Sequence, residues 1–529
     1  MERLRALAAG RRTAPWLALG LGLLSAVGFA PLGLWPLTII SFAGLIFLIH
    51  QAPTWRLATF NGWMFGLGQF VLGLNWIATA FTYQAAMPAW LGWVAVVLLS
   101  FYLAVYPAIA ALIAKFASRT STLALPFALA GGWIVGEWLR SFVFTGFAWN
   151  PVGVALVDTP LRHLSVWIGT YGLSGIMVLL GGLLFWLAQR RAVAAIATAA
   201  AILVATILPR PEVVSDTGPA RAPQVRIVQP DISQDDKWRP GFEQIAADKL
   251  TRLGTAPSDV TPAVVFWPEV AVLRPLLDER TGAQRLAAIE RAGALRGIRP
   301  DQTLVTGGIG VLTEDGQTVS EALNSVFVLD PGTPPTRASL GDADAALDIR
   351  YDKAHLVPYG EYLPMRWLLE PLGLSRLVPG AFDYRPGPGA RTLDLDGIDR
   401  RMGVQICYEI IFSGQVADRS NRPDFLFNPS NDAWFGAWGP PQHLAQARLR
   451  ATEEGLPVIR STPTGISAMI AADGTLLEHL GMGVEGVIDT ALPPAAASPP
   501  LFARVGNILA LLFAAFLVGL AIALARRAR

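Results

Sequence analysis

Long apolar runs separated by short basic connections fill the first 210 residues of the chain. A helix that crosses a membrane needs about 20 mostly apolar residues, and the pattern predicts seven such spans before a long polar stretch. They lie at about 14–32, 34–51, 58–81, 88–116, 122–145, 163–188 and 191–209. An eighth apolar run follows at 504–525. Glycines cluster in the third run and predict close helix packing there (Gly62, Gly66, Gly68 and Gly73).

The polar stretch, residues 211–500, alternates between strand-like and helix-like segments. Strands are predicted at 225–228, 263–267, 303–306, 325–329, 402–407, 424–428, 457–460 and 467–471. Helices are predicted at 241–254, 283–297 and 441–455. This alternation predicts α/β layers around a sheet. Residues 211–223 form a Pro-rich linker and 331–348 a loop insertion. We therefore expect a membrane domain at 1–210, an α/β domain at 211–500, and a last helix with a basic tail at 501–529.

Composition supports this division. Hydrophobic residues make up 53% of the chain and charged residues 16%, which is too apolar for an ordinary soluble protein. Before Pro211 the acidic residues are Glu2, Glu137 and Asp158, and none follows Leu501. The formal net charge is +2 and there is no basic stripe for phosphate contacts, so no nucleic-acid partner is expected.

The basic residues predict an orientation. Cytoplasmic loops are enriched in Lys and Arg, and a cytoplasmic N-terminus places the loop residues Arg56, Lys115, Arg119, Arg190 and Arg191 inside. Seven crossings then deliver 211–500 to the outside, which in a bacterium is the periplasmic face of the inner membrane. The first run is expected to be retained rather than cleaved as a signal peptide, because six further spans follow it.

The single cysteine, Cys407, is the first candidate for chemistry. It cannot form an internal disulfide, and it ends a strand-like run beside Glu409. A thiol placed there is suited to act as a nucleophile. Free cysteines are also commonly buried, unreactive hydrophobes, and position alone does not separate the two interpretations.

Two other segments carry charged groups that are candidates to act with the cysteine. Glu269 follows a predicted strand directly in Phe-Trp-Pro-Glu, and Lys353 and Glu361 lie eight residues apart in Lys-Ala-His-Leu-Val-Pro-Tyr-Gly-Glu. Strand ends gather at one edge of an α/β sheet, so Glu269, Lys353 and Cys407 are expected to converge. The carboxylate would take the thiol proton, the lysine would stabilise thiolate and oxyanion, and the thiolate would attack a carbonyl.

The order Glu269, Lys353, Cys407 resembles the triad of the nitrilase, or carbon–nitrogen hydrolase, superfamily. With membrane spans on both sides, the chain resembles the bacterial apolipoprotein N-acyltransferases. The matching motifs are Trp-Pro-Glu269, 353–361, Cys-Tyr-Glu409, Asn-Pro-Ser-Asn-Asp-Ala-Trp-Phe at 428–435 and Arg-Ser-Thr-Pro-Thr-Gly at 460–465. The resemblance covers essentially the whole chain and implies a nitrilase-like αββα sandwich at 211–500.

The resemblance implies a two-step acyl transfer without a cofactor or metal. Cys407 would take an acyl chain from phosphatidylethanolamine as a thioester. The α-amino group of a lipoprotein's N-terminal S-diacylglyceryl cysteine would then attack that thioester. Glu269 would serve as base and acid, and Lys353 would stabilise the oxyanion.

Four supporting residues follow from the same resemblance. Glu361 and Glu409 are expected to orient Lys353 and the substrate amine, and the backbone N–H of Tyr408 to donate to the oxyanion. Trp238 is expected to pack on substrate, although an exposed turn aromatic is its alternative. The apolar segment 362–374 is expected to dip into the membrane interface or line the acyl groove, with a core helix as its alternative.

Other functions stay open at this stage. Nitrilase-type amide hydrolysis uses the same triad with water as acceptor. A transporter or receptor with a binding domain is less favoured, because no paired hydropathy repeat is evident. A protease-like pair of Cys407 with His443 is a further alternative, and the five histidines show no metal-ligand spacing. Glu137 and Arg140, one turn apart, suit either a function within the membrane or a neutral ion pair.

Overall fold

The computed structural model describes residues 2–83, 88–119, 121–209, 212, 222–237, 239–331, 349–372 and 383–527. Trp238, most of the predicted linker and nearly all of the predicted insertion at 331–348 lie outside the described residues.

Helices form the described part of the first 210 residues. They are α1 Glu2–Ala9, α2 Ala14–Ala26, α3 Trp35–Gln51, α4 Trp55–Gly73, α5 Ile77–Ala80, α6 Leu91–Leu103, α7 Val105–Ser118, α8 Leu125–Arg140, α9 Ser165–Ala188 and α10 Ala192–Thr206. The predicted close packing at glycines is confirmed. A Cβ at Gly68 would lie 2.3 Å from the Leu19 carbonyl oxygen of α2, and one at Gly62 would lie 2.7 Å from the Pro107 carbonyl oxygen of α7.

The structure supports a helical membrane part but does not match all eight predicted spans. Among the described residues, three stretches are long and apolar enough to cross a membrane: Leu91–Ser118, Pro160–Ala188 and Ile508–Arg527. Trp55–Gly73 and Ile77–Tyr83 make a fourth if their 49° bend lies within one broken span. The apolar helices α2, α3 and α10 are shorter, at 13, 17 and 15 residues. Eight crossings therefore stay a prediction.

The rest of the chain mixes strands and helices. The strands are β1 Gln224–Gln229, β2 Val264–Phe266, β3 Leu277–Asp278, β4 Thr303–Leu312, β5 Glu321–Leu329, β6 Arg350–Asp352, β7 Thr392–Leu395, β8 Arg400–Val404, β9 Phe425–Pro429, β10 Val458–Ser461, β11 Ala468–Ile470, β12 Leu476–His479 and β13 Gly486–Ala491. The helices are α11 Gln234–Lys237, α12 Phe242–Gly254, α13 Gln284–Ala294, α14 Arg366–Leu369, α15 Gly439–Glu454, α16 Leu501–Val505 and α17 Ile508–Arg527.

The strands form two sheets. The first runs β13-β1-β2-β4-β5-β6, with β3 also paired to β4, and the second runs β12-β11-β10-β9-β8-β7. Three neighbouring strands are parallel in each sheet, β1-β2-β4 in the first and β8-β9-β10 in the second. Parallel strands bring their carboxyl ends to one edge, and the loops after β2 and β8 carry Glu269 and Cys407.

The two sheets pack face to face through apolar side chains of their central strands. The rings of Phe266 and Phe427 meet between the sheets at 4.8 Å, and Val225 and Ile227 belong to the same core. Val228 and Val265 point the other way, into a separate core with residues of α12 and α13. Helix α15 packs against β10 of the second sheet. The predicted α/β layers are thus confirmed as a four-layer sandwich.

Helix α15 also joins this domain to the membrane helices. Its Glu453 Oε1 accepts hydrogen bonds from the Thr170 N–H and hydroxyl at 2.5 and 2.7 Å and from the Ser413 hydroxyl at 2.8 Å. The Arg450 guanidinium lies 2.9 Å from Glu453 Oε2. Gly169, at φ 64°, interrupts α9 immediately before Thr170. This break turns the Thr170 N–H toward the Glu453 carboxylate. A buried carboxylate thus ties α9 to the sandwich.

Glu453→Ala is expected to lower the free energy of unfolding by about 3–5 kcal/mol, because it leaves the Arg450 charge buried without its partner. Thermal unfolding of the detergent-solubilised protein, followed by tryptophan fluorescence, measures the loss. Asp158→Ala is the control. Asp158→Ala breaks the ion pair of Asp158 with Arg448, which lies on α15 as Glu453 does. Because Asp158 is 70% exposed, we expect the free energy of unfolding to fall by only about 0–1 kcal/mol. Equal losses of stability in the two variants would contradict the role of Glu453 in tying α9 to the sandwich.

Candidate active site

A strained turn presents the cysteine. Strand β8 ends at Val404, and a short 3-10 turn begins at Cys407 itself, so the predicted strand at 402–407 stops three residues earlier than expected. Cys407 has φ 51° and is 4% exposed. A positive φ is unfavourable for any residue with a Cβ, so the surroundings must hold this conformation.

Glu409 holds the turn against the lysine segment. Its Oε2 accepts from the Ile406 N–H at 2.7 Å, and its Oε1 accepts from the N–H groups of Ala354 and His355 at 2.8 and 3.0 Å and from the Tyr351 hydroxyl at 2.8 Å. Burial raises the pKa of Glu409 to about 7, and these donors act against burial. Glu409 therefore positions Lys353 through the backbone that follows it rather than through its ammonium.

Lys353 lies between two buried carboxylates. Its Nζ donates to Glu361 Oε1 at 2.8 Å and to Glu269 Oε1 at 3.4 Å. Asn324 Nδ2 donates to Glu269 Oε1 at 2.7 Å and to Glu361 Oε1 at 3.0 Å, and the Asn431 N–H donates to Glu269 Oε2 at 2.7 Å. Burial opposes the ammonium charge, but the two carboxylates outweigh it and raise the pKa of Lys353. Lys353 therefore stays charged and cannot act as a base.

The Cys407 thiol is neutral at rest. Burial raises its pKa well above the ordinary value, the Glu269 carboxylate adds to that effect, and Lys353 opposes it. Glu269 and Lys353 are thus both near enough for their charges to act on the sulfur, as the sequence predicts. A neutral thiol needs a base when it attacks, and among the carboxylates Glu269 has the largest effect on the thiol pKa.

His443 contacts the backbone of Cys407, at the carbonyl oxygen, rather than the thiol. Nε2 lies 3.0 Å from the Cys407 carbonyl oxygen, and Nδ1 lies 2.9 Å from Asp432 Oδ1 and 3.0 Å from Arg460 Nη2. A carbonyl oxygen only accepts, so Nε2 must carry a proton. Burial and then Arg460 lower the pKa of His443, while the Asp432 carboxylate acts in the opposite direction. Both ring nitrogens therefore have partners other than the thiol. The protease-like alternative, which needs a ring nitrogen at the sulfur, therefore lacks support.

Tyr408 anchors the same turn to the membrane part. Its hydroxyl donates to the Gly146 carbonyl oxygen at 3.1 Å, in the segment between α8 and α9. Its ring meets Phe412 edge to face at 5.3 Å. Trp238 lies outside the described residues, so its expected role stays a prediction.

Glu137 and Arg140 bind separate partners. Glu137 Oε1 accepts from Trp133 Nε1 and from the Val152 N–H, both at 2.9 Å. Arg140 Nη1 donates to the Trp149 carbonyl oxygen at 2.9 Å. Trp149 Nε1 in turn donates to Gln442 Oε1 of α15 at 2.8 Å. Arg140 therefore helps to link the membrane part to the helix that carries His443, whereas Glu137 binds groups within the membrane part.

The apolar segment after Glu361 is exposed at 365–368, although Leu363 before it is buried. α14 is a single turn, and Trp367 and Leu368 are 78% and 44% exposed. A core helix is therefore the wrong interpretation of 365–368. Residues 373–382 lie outside the described residues.

Three contributors were missed in the sequence or assigned another role. Asn431 lies in a motif that the sequence singles out, but its backbone contact to Glu269 has no sequence signal. Asn324 left a signal, since it is a lone amide in the buried middle of the apolar strand β5. His443 was weighed only as a partner of the thiol.

His443→Leu is expected to speed alkylation of Cys407 by iodoacetamide about 5- to 100-fold, because the turn loses a hydrogen bond of about 1–3 kcal/mol and opens more readily. His443→Gln places an amide N–H near the position of Nε2 and should stay near the wild-type rate. Intact-mass measurement of the full-length protein in detergent follows the reaction. Equal rates for Leu and wild type would show that the contact does not hold the turn.

Comparison with known proteins agrees with this geometry. Residues 21–183 match the family model of the apolipoprotein N-acyltransferase N-terminal domain, and residues 249–499 match that of carbon-nitrogen hydrolase. An apolipoprotein N-acyltransferase of Bradyrhizobium diazoefficiens is 36% identical over 97% of this chain and 94% of its own length. Those of Rhodopseudomonas palustris and Brucella suis are 33% and 35% identical and cover 93% and 90% of this chain, with 91% and 90% of their own lengths. The resemblance carried by the motifs is confirmed, and the chain belongs to the apolipoprotein N-acyltransferase family.

Proposed function

We propose that this chain is a phospholipid:apolipoprotein N-acyltransferase. It moves an acyl chain from a membrane phospholipid, through a thioester on Cys407, to the α-amino group of the N-terminal S-diacylglyceryl cysteine of a lipoprotein. The observation that carries the proposal is the buried contact of Lys353 with Glu269 and Glu361 beside a neutral thiol. Family membership supplies the identity of the two substrates.

The first step makes the thioester. Glu269 takes the Cys407 proton as the sulfur attacks the ester carbonyl of the donor lipid, and a carbon–sulfur bond forms. The negative charge passes to the carbonyl oxygen, where the Lys353 ammonium and the Tyr408 N–H stabilise it. The ester carbon–oxygen bond then breaks, and the leaving lysophospholipid oxygen takes the proton from Glu269.

The second step passes the acyl chain on. The neutral α-amine of the lipoprotein attacks the thioester carbon, and Glu269 accepts a proton from the nitrogen. The carbon–sulfur bond breaks, the sulfur recovers the proton from Glu269, and an amide is released. Glu361 keeps Lys353 charged in both steps, and Trp238 packs on the substrate.

The donor is phosphatidylethanolamine, and both substrates are held in the membrane. The exposed apolar side chains of 365–368 follow the catalytic lysine segment and suit contact with lipid. Seven spans at 1–210 and one at 501–529 hold the α/β domain of 211–500 at the membrane surface. Tethering of enzyme and substrates raises their effective concentration.

A second candidate reaction uses the same residues. If water took the place of the lipoprotein amine, the chain would be a membrane-bound hydrolase of the nitrilase type. The same thioester would form, and the two candidates differ only in the acceptor.

Incubation with phosphatidylethanolamine vesicles should add the mass of one acyl chain to the peptide that contains Cys407. Cys407→Ala should show no addition and no transfer to a diacylated lipopeptide, while keeping its fold. Mass spectrometry reads both results. Transfer by Cys407→Ala would contradict a covalent route, and fatty acid released in preference to acylated lipopeptide would favour the hydrolase.

A second variant, Glu269→Gln, tests whether Glu269 is the base. It removes the negative charge that raises the thiol pKa, so alkylation of Cys407 by iodoacetamide near pH 8 should be faster than in wild type. Thioester formation should nevertheless be lost, because the base is gone; general base catalysis contributes about 10²–10⁴-fold. A normal yield of acyl-enzyme would remove Glu269 from the role of base.

The proposed orientation is tested with reporter fusions after residues 211 and 529. A reporter that is active only in the periplasm should work after 211 and fail after 529, because eight crossings return the chain to the cytoplasm. Activity of that reporter at 529 would contradict the placement of the α/β domain on the periplasmic face.

A further inference from the structure

A second buried lysine lies beside the reacting groups. Lys237 ends α11, is 5% exposed, and places its Nζ 3.4 Å from the carbonyl oxygen of Glu269. At the other end of α11, Gln234 Oε1 accepts from Asn431 Nδ2 at 3.0 Å. Asn431 also holds the Glu269 carboxylate through its N–H. The short helix therefore contacts the reacting centre at both ends.

The charge of Lys237 is not matched by a carboxylate. In the part of the chain that the structure describes, none lies within ion-pairing distance of its Nζ, and its hydrogen bond to a backbone carbonyl is long. An ammonium has three N–H donors, and burying one without an anion is costly. By contrast Lys353 has two carboxylate partners, and the half-buried Lys249 lies 3.0 Å from Glu485.

The reaction places a negative charge where Lys237 can match it. Glu269, Glu361 and Lys353 together carry one net negative charge when Cys407 is neutral. Proton transfer moves that charge from Glu269 to the sulfur, and attack moves it to the carbonyl oxygen, so the total does not change. The ammonium of Lys237 brings the net charge of the centre to zero before proton transfer, after it and after the attack.

The charges that act on Lys237 are those of this centre. Burial lowers the pKa of Lys237 to about 8, and the Glu269 carboxylate and the Cys407 sulfur act in the opposite direction. Lys237 is therefore mostly protonated below pH 8 and loses its charge as the pH rises through that value. Lys353, with its raised pKa, keeps its charge over the same range.

We propose that Lys237 is a second cationic group of the reacting centre, which stabilises the Cys407 thiolate and, given the proposed acyl transfer, the oxyanion that follows it. Neither role is supplied by Lys353 alone, because Glu361 holds that ammonium at 2.8 Å and offsets much of its charge.

Alkylation of Cys407 by iodoacetamide tests the thiolate part without any lipid. The sulfur forms a bond to carbon and iodide leaves, so the rate reports the thiolate population of the full-length protein in detergent. Lys237→Met keeps the length of the side chain and removes the charge, and it should slow alkylation at pH 7 about tenfold, the equivalent of one unit in the thiol pKa. Lys237→Arg keeps the charge and should stay within about threefold of wild type. Lys249→Met is the matched control and should react like wild type.

The direction of the effect separates charge from packing. A lysine that only supports the fold would, when replaced, loosen the turn and speed alkylation, whereas loss of a cation slows it. Unchanged or faster alkylation in Lys237→Met, or equal slowing in Lys237→Arg, overturns the proposal.

The wild-type pH profile gives an independent test that needs no variant to fold. The logarithm of the alkylation rate should rise with pH and then flatten near pH 8, where Lys237 loses its proton, while Lys237→Arg should rise without this break. A straight wild-type profile through pH 8 overturns the proposal. Thioester formation from phosphatidylethanolamine should also be slowed in Lys237→Met. If wild type forms no thioester, the proposed function fails, while the alkylation result still decides the role of Lys237 toward the thiolate.

Discussion

The site depends on a buried ammonium, Lys353, held between Glu269 and Glu361. Because Glu361 lies at 2.8 Å and Glu269 at 3.4 Å, the lysine stays charged and Glu269 is the weaker of its two partners. In the proposed reaction Glu269 can therefore take a proton without leaving Lys353 unpaired. A single carboxylate would have to serve as both counter-ion and base, and protonating it would leave a buried charge, which is costly. In the proposed reaction Glu361 remains the counter-ion of Lys353 while Glu269 acts as the base.

Helix α15 connects this chemistry to the membrane. His443 supports the nucleophile turn, Gln442 meets Trp149, and Glu453 meets Thr170 of α9, all from one helix. Glu453 is two helical turns and more from His443, so one rigid element spans the distance from the reacting sulfur to a membrane helix. The position of the thiol relative to the membrane is thereby fixed by packing and hydrogen bonds rather than by a linker.

Much of this could be predicted from the sequence, and the reasons for the remainder are physical. Strands such as β2 and β9 are mainly apolar, buried on both faces and bounded by turns, so their pattern is clear. β3 has two residues, and β12 is largely exposed, so pairing with neighbours defines them and local pattern does not. Glu269 and Cys407 were found because they lie at the ends of predicted strands, and Lys353 was found with them through the motifs that carry the family resemblance.

The contacts that place the reacting groups could not be predicted in the same way. The approach of Lys237 to a backbone carbonyl, and of His443 to another, joins residues 32 and 36 positions apart, and nothing local marks either one. The predicted spans show the same limit, since hydropathy gives the apolar runs but does not give the break after α4 or the ends of α2 and α10.

The raised pKa of the thiol gives the arrangement a further consequence. Oxidation of cysteine proceeds through the thiolate, so a buried, protonated thiol resists it. On the proposed periplasmic face, where thiols are oxidised readily, a resting thiolate would be lost between turnovers. In the proposed reaction, a neutral thiol gives up its proton to Glu269 as it attacks, and the carbonyl oxygen receives the charge. Burial therefore protects the nucleophile, and the charges around it make attack possible.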